Sequence, residues 1–314
     1  MSYSPPFFLF NKHLETIYPA VGRRVNFEYQ KKEKIATPDN DFLEIGFSGC
    51  HSDKLIIISH GLEGNMDRPY VKGMAKACFE NGYDIVAWNF RGCGNDLNEQ
   101  LRFYHSGETE DLDTLINYFV RTNQYSTINL IGFSLGGNIT LKYAGEVRTR
   151  SILIKKVVAI SVPLDLLTSC MKISTPANRV YHHRFLKSLK SKIIRKSKIM
   201  KGLDISGIDT LKTIKDFDDR YTAPLHGFLN ADEYYNRCSS LQFVDAIKIP
   251  TLIINAANDP FLSDACYPVE LLRNHKYVRF EKPSRGGHVG FAQFNKKKMY
   301  WSEQRALKFL TCES

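Results

Sequence analysis

Short apolar runs separated by longer amphipathic stretches recur along most of the chain. They predict strands at residues 26–36, 42–47, 55–59, 84–89, 128–132, 157–162, 251–255 and 278–280. The first two runs flank a Pro-Asp-Asn turn, which is typical of a hairpin. The later runs are rich in Ile, Val and Leu without alternation, as in parallel strands buried on both faces. The pattern therefore predicts an α/β fold with a mostly parallel eight-stranded sheet and helices on both faces.

The interval between the sixth and seventh predicted strands, residues 163–247, is too long for a simple connection. A crossover between parallel strands needs only about 12 residues or somewhat more. We therefore expect residues 163–247 to form a helical cap inserted into a core made of residues 1–162 and 248–314. Within the insertion, residues 216–227 contain an Asp pair and Pro224, and we interpret them as a turn that returns the cap to the core.

The fifth predicted strand ends in a motif that indicates a nucleophile. Residues 132–136 read Gly-Phe-Ser-Leu-Gly and are followed by a stretch compatible with a helix. A G-x-S-x-G sequence between a strand and a helix is the nucleophile elbow of α/β hydrolases, and its glycines permit a turn too tight for side chains. We therefore predict that Ser134 is the nucleophile, at the apex of this turn.

An acid and a base follow Ser134 in the chain order that this fold uses, which is Ser, then Asp or Glu, then His. Asp259 lies at the end of the seventh predicted strand, and Pro260 next to it interrupts the strand ladder. His288 follows the last strand after two glycines, which let the backbone approach the site closely. Asp264 is the competing acid, and we favour Asp259 because it directly ends the strand. The predicted triad is Ser134, Asp259 and His288.

Two backbone N–H groups are predicted to form an oxyanion hole. One belongs to Leu135, directly after the nucleophile, and the other to Leu62 in the His-Gly-Leu-Glu-Gly sequence that follows the third predicted strand. Such donors stabilise the charge that develops on the substrate oxygen. We interpret His60 in the same sequence as a hydrogen-bonding brace of the loop. This chemistry requires no metal or organic cofactor.

The positive charge of the chain is concentrated in one segment. Residues 166–203 contain no Asp or Glu, and their Lys and Arg account for the formal net charge of +10. Apolar residues recur there at helical spacing, from Phe185 to Ile194. Three interpretations stay open: a cap helix with solvated lysines, a helix that contacts an anionic membrane, or steering of anionic substrates. Nucleic-acid binding is disfavoured because no recognition module accompanies the charge.

The cysteines and the amino terminus bear on location. The seven cysteines are an odd number without a C-x-x-C pair, which argues against a disulfide framework or zinc site and favours a reducing compartment. The first ten residues lack the basic and long apolar regions of a signal peptide. We therefore expect a cytoplasmic protein, with peripheral membrane contact as the alternative; the sequence leaves the oligomeric state open.

Motifs along nearly the whole chain resemble the YheT-like branch of the α/β hydrolases, which includes the abhydrolase-domain 1, 2 and 3 proteins. The matching segments are residues 13–19 (HLETIYP), 60–64 (HGLEG), 89–94 (NFRGCG), 132–138 (GFSLGGN), 258–261 (NDPF) and 287–291 (GHVGF). The resemblance implies an α/β-hydrolase fold and esterase or lipase-like activity on acyl or lipid-like esters.

Related fungal proteins make medium-chain ethyl esters, so the resemblance also implies an alternative, acyl transfer to an alcohol through the same triad. A non-catalytic binding protein is a weaker alternative, because the triad and both oxyanion segments are intact in the sequence. Several mammalian relatives carry an amino-terminal membrane anchor; because the family motifs begin near residue 13 of this sequence, we do not expect stable membrane residence.

Overall fold

The computed structural model describes residues 2–312 and contains one mixed eight-stranded sheet. Its strands are β1 Lys31–Thr37, β2 Asp41–Ser48, β3 Lys54–Ser59, β4 Asp84–Trp88, β5 Thr127–Phe133, β6 Ile154–Ile160, β7 Thr251–Ile254 and β8 Val278–Glu281. Their spatial order is β1-β2-β4-β3-β5-β6-β7-β8. Strand β2 pairs antiparallel with β1 and β4, and every other pairing is parallel. The predicted mostly parallel sheet is therefore confirmed.

Helices cover both faces of the sheet. The α-helices are α1 Lys12–Gly22, α2 Pro69–Phe79, α3 Thr109–Arg121, α4 Leu135–Gly145, α5 Leu166–Ile173, α6 Arg179–Ser197, α7 Ile214–Phe217, α8 Ala223–Leu225, α9 Ala231–Cys238, α10 Val269–Leu272 and α11 Trp301–Thr311. Alternate side chains of a strand point to opposite faces. Ile56 and Ile58 of β3 accordingly pack with α2 and α11, whereas Leu55 and Ile57 pack with α3 and α4.

The insertion between β6 and β7 is helical, as predicted. Helices α5, α6, α7 and α9 bury a separate apolar cluster that includes Leu186, Leu189 and Ile193. The predicted turn at residues 216–227 is wrong, since this stretch continues from α7 through a π-helical turn, Asp218–Thr222, into α8. A capping box between Thr213 and Asp216 starts this helical run.

Every strand boundary lies within one residue of the prediction except the start of β1 and both ends of β6, which begins at Ile154 and not at residue 157. Strand β1 starts at Lys31 and not at residue 26, because the Gln30 N–H bonds the Ser48 hydroxyl instead of a strand partner. Strand β6 ends at Ile160 and not at residue 162, because Ser161 adopts a φ of 55° and the Val162 N–H bonds the side chain of Asn255. Side-chain acceptors that are distant in sequence therefore set the start of β1 and the end of β6.

The amino-terminal arm and α1 pack beside the carboxyl ends of the parallel strands. Leu9 is buried with Ala292 and Tyr300, and Phe8, Leu14 and Tyr18 pack around them. Asn11 caps α1 by accepting from the N–H groups of His13 and Leu14. In residues 2–312 no helix combines the length and the apolar character needed to cross a membrane.

Candidate active site

Ser134 occupies the turn between β5 and α4. Its φ of 52° and ψ of −121° are unusual for a residue with a side chain, and such strain persists only where surrounding contacts enforce it. Its N–H donates to the Ile160 carbonyl at 2.8 Å. A Cβ on Gly136 would overlap the backbone of Ser59 and His60, so the turn tolerates no larger residue there. The local chain thus holds the Ser134 hydroxyl at the carboxyl edge of the sheet.

His288 lies within hydrogen-bond distance of Ser134 and Asp259. Its Nε2 is 2.9 Å from the Ser134 Oγ, and its Nδ1 is 2.8 Å from the Asp259 Oδ2. A carboxylate can only accept, so Nδ1 carries the proton and Nε2 is left as an acceptor for the serine hydroxyl. The structure therefore brings the three predicted side chains together, and their catalytic roles stay a prediction.

Asp259 lies in the loop that follows β7, five residues beyond Ile254, and its side chain is fully buried. Its Oδ1 accepts from the Phe261 N–H at 2.8 Å, which leaves Oδ2 for His288. The Phe261 ring packs on the His288 ring with centroids 4.4 Å apart. The competing acid, Asp264, is exposed and starts the short 3₁₀ helix Asp264–Cys266. The choice of Asp259 over Asp264 agrees with these contacts.

Leu62 and Leu135, the predicted oxyanion donors, line the same cavity as Ser134. Across residues 2–312 neither backbone N–H donates to another protein group, so both are available for a ligand. His60 braces the Leu62 loop, as predicted: its Nδ1 donates to the Gly61 carbonyl at 2.7 Å and its Nε2 accepts from the Phe90 N–H at 3.1 Å. Burial lowers the pKa of His60 to about 3, which keeps this brace neutral.

Glu63 ties the same loop to the helical insertion. Its carboxylate accepts from Lys192 Nζ at 2.5 Å, from the Tyr104 hydroxyl at 2.7 Å and from the Ser188 hydroxyl at 2.5 Å. The side chains of Glu63 and Lys192 are 7% and 9% exposed, so the pair is largely shielded from water. Burial opposes ionisation of Glu63, but the charge and hydrogen bond of Lys192 outweigh it and lower the pKa of the carboxyl.

Glu15 and Thr16 of α1 organise the loops that carry His288 and Asp259, a role that the sequence analysis missed. The Glu15 carboxylate accepts from the Gly286 N–H at 2.6 Å, from Arg285 Nε at 2.8 Å and from Asn258 Nδ2 at 3.2 Å.

The Thr16 hydroxyl accepts from the His288 N–H at 2.9 Å. The close fit depends on Gly287, which has a φ of 59° and whose added Cβ would lie 2.8 Å from the Thr16 Oγ1. The only sequence signal for Glu15 and Thr16 is that residues 13–19 match a motif of the family that the chain resembles, and the motif by itself indicates no role for them.

A cavity of about 430 Å³ opens beside Ser134 and extends under the helical insertion. Its size suits a small ligand or an acyl chain. Apolar side chains of the insertion form part of its wall, among them Leu166, Ile173, Phe185, Leu189, Ile214, Phe217 and Leu225. Asp218 also lines it, and burial raises the pKa of this carboxyl to about 6 although Thr222 and Tyr235 donate to it.

Known proteins resemble the chain in sequence and fold. Residues 54–190 match the α/β-hydrolase fold family. The YheT protein of Escherichia coli (strain K12) is 32% identical over 90% of this chain and 84% of its own length. The monoacylglycerol lipase of Saccharomyces cerevisiae is 27% identical over 79% of this chain and 57% of its own length. The solved esterase Pf2001 of Pyrococcus furiosus superposes with a TM-score of 0.61, 21% identity and coverage of 90% and 91% of the two chains.

Proposed function

Because the chain belongs to the YheT-like branch of the α/β hydrolases and is therefore of the hydrolase type, we propose that it is a serine hydrolase of carboxylic esters. The observation that carries the proposal is the continuous hydrogen-bonded chain from Ser134 through His288 to Asp259, at the base of an apolar cavity. The proposed substrates are short- to medium-chain acyl esters or lipid-like esters. The name of the yeast relative, monoacylglycerol lipase, supports an ester of this class.

The proposed reaction proceeds in two steps. His288 Nε2 takes the hydroxyl proton as Ser134 Oγ attacks the ester carbonyl carbon, and Asp259 stabilises the imidazolium that forms. The N–H groups of Leu62 and Leu135 bind the oxyanion. Collapse of the intermediate passes the proton from His288 to the leaving alcohol and leaves an acyl group on Ser134. Water, deprotonated by His288, then releases the acid and restores the hydroxyl.

We also propose that residues 163–247 act as the cap that encloses the acyl part of the substrate. Phe185, Leu189 and Phe217 of this segment line the cavity and also belong to the apolar cluster of the insertion. Apolar contact of this kind favours hydrocarbon over water in the binding site. The boundaries at 163 and 247 are the ones expected from the sequence.

A series of p-nitrophenyl esters from acetyl to long-chain acyl tests the activity. Wild type should hydrolyse the series with an optimum at the chain length that fits the cavity, and Ser134→Ala should lose roughly 10⁴- to 10⁶-fold in turnover. Ser126→Ala, at the opposite end of β5, is the matched control and should behave as wild type. Turnover by Ser134→Ala close to that of wild type would rule out the proposed nucleophile, and failure of a fluorophosphonate to label wild type would count against it as well.

A further inference from the structure

Large apolar side chains lie exposed on the amino-terminal arm, on α1 and at Phe294. Phe7 is 94% exposed, Phe10 71%, Val21 75%, Phe294 62% and Ile17 40%. We call these five residues the mouth face. Ile17 and Val21 also line the cavity, so the exposed surface continues into it. Contiguous apolar surface of this kind is uncommon on soluble monomers and indicates an interaction site.

Ring contacts join most of the mouth face into one surface. The Phe8 ring lies 5.7 Å from Phe7, 5.8 Å from Phe294 and 5.3 Å from Tyr18. Val21 follows Tyr18 by three residues and Ile17 by four, so these side chains are neighbours on α1. The amino-terminal arm, α1 and the loop at Phe294 therefore present a common apolar front.

Lysines adjoin this front. Residues 296–298 are three exposed lysines that directly follow Phe294 and Asn295. Their turn is fixed, since the Lys298 N–H donates to the Asn295 carbonyl at 3.0 Å and Asn295 Nδ2 donates to the Met299 carbonyl at 2.6 Å. Within residues 2–312 none of the three lysines forms an ion pair. Apolar side chains flanked by unpaired cations match the interface of an anionic bilayer, whose surface attracts nearby cations.

Helix α6, where the sequence suggested membrane contact, is less suited to it. Leu186, Leu189 and Ile193 are buried in the insertion, so its apolar stripe is not available to lipid. Lys192 and Lys196 are buried as well and contact protein groups.

We propose that the mouth face docks the protein on an anionic lipid bilayer, with Phe7 and Phe294 inserted at the headgroup level. The cavity entrance beside Ile17 and Val21 then faces the membrane. Delivery of a lipid-like ester through this entrance rests on the proposed hydrolase function, whereas the docking itself does not.

Vesicle sedimentation tests the docking without requiring activity. Ser134→Ala protein should bind phosphatidylcholine vesicles containing phosphatidylglycerol and bind pure phosphatidylcholine vesicles more weakly. In this background Phe7→Ser with Phe294→Ser should weaken binding at least about tenfold, because the substitutions remove two apolar rings that the membrane would bury. Lys296→Glu with Lys297→Glu should abolish the preference for anionic vesicles. Val147→Ser is the matched control: Val147 is fully exposed, lies just beyond α4 and should not affect binding.

Kinetics separates docking from catalysis. With Ser134 intact, the Phe7→Ser and Phe294→Ser pair should hydrolyse soluble p-nitrophenyl acetate as wild type does and lose about tenfold on a long-chain ester presented in vesicles. Absence of vesicle binding by the Ser134→Ala protein would overturn the docking proposal, and so would binding that the combined Phe7→Ser and Phe294→Ser substitutions leave undiminished. The docking proposal would also be overturned if the protein sedimented as a dimer that the phenylalanine substitutions dissociate, because the mouth face would then bind a second copy of the chain. Inactivity of wild type on every ester would refute the proposed hydrolase function but not the docking.

Discussion

Replacing Lys192 by Met removes the cation that neutralises Glu63 next to the proposed oxyanion donor. Lys192 Nζ lies 2.5 Å from the Glu63 carboxylate, 3.1 Å from the Cys93 Sγ and 4.7 Å from the centroid of the Tyr104 ring. The substitution keeps the volume of the lysine stem but leaves a buried carboxylate with only the Tyr104 and Ser188 hydroxyls as donors. Removing one partner of a buried ion pair costs about 3–5 kcal/mol. We expect the free energy of unfolding at pH 7 to fall by that amount.

The same change should affect turnover, because Glu63 directly follows Leu62 and its side chain binds the insertion through Lys192 and Ser188. Loss of one oxyanion-hole donor costs about 10²- to 10³-fold in kcat. Displacement of the loop in Lys192→Met should therefore lower kcat by about 10²-fold and leave KM for a short ester nearly unchanged. The pH dependence should change too. In wild type the lowered pKa of Glu63 stabilises the fold above its ordinary value of 4.5, and this contribution is lost in acid.

Urea unfolding and ester kinetics of Lys192→Met, Glu63→Gln and the double variant form the assay. The double variant buries no unpaired charge, so its loss should be smaller than the sum of the single losses by at least about 1 kcal/mol. Lys187→Met, an exposed lysine of the same helix, is the control and should stay within about 0.5 kcal/mol of wild type. Single losses that add to within about 0.5 kcal/mol would refute the coupling between the insertion and the oxyanion loop.

Three further changes test other parts of the site. Asp218→Asn removes a carboxyl whose pKa burial raises to about 6, so that its protonated form favours the folded state. Between pH 5 and pH 8 the free energy of unfolding of wild type, measured in urea titrations, should fall by about 1.4 kcal/mol relative to that of the variant. Equal pH dependence of the two proteins would contradict this. Glu15→Gln should lower kcat about 10- to 100-fold by loosening the His288 loop, whereas the exposed Glu28→Gln should not, and equal rates would exclude the positioning role. Asp259→Asn should lower kcat by about 10⁴-fold; a loss below tenfold would remove it from the triad.

The sheet and the three triad residues could be predicted because their signals are local. Each parallel strand appears as a short apolar run, and each predicted triad residue follows one such run at a Gly or Pro. The carboxyl ends of parallel strands meet at one edge of a sheet, so predicting the strands also predicts that Ser134, Asp259 and His288 come close together. The strand register then sets how close the loops that carry the triad lie. Phe133, directly before Ser134, pairs with Ile160, and Ile160 pairs with Ile254, which precedes the Asp259 loop.

The residues that hold the triad in place could not be predicted in this way. Glu15 reaches Gly286, and Thr16 reaches His288, across more than 270 residues of sequence. Nothing in the helical pattern of α1 distinguishes a glutamate that faces solvent from one whose carboxylate is completely buried against two loops. Only the packing of α1 against the carboxyl edge of the sheet gives these two side chains their partners.

The lysines of α6 show how a correct helical period still misassigns a surface. The period predicted that Leu186, Leu189 and Ile193 share a face, and they do. One of the three interpretations of the basic segment, a cap helix with solvated lysines, places Lys192 and Lys196 in solvent, because lysine is rarely buried without a partner. Their partners lie on other elements: Glu63 for Lys192, and the Asn98 side chain, 2.7 Å from Nζ, for Lys196. Burial lowers the pKa of Lys196 from its ordinary value of 10.5 to about 8. Positive charge in the insertion therefore serves partly to fasten it to the core, and the exposed apolar surface that could meet lipid lies instead at the amino-terminal arm and α1.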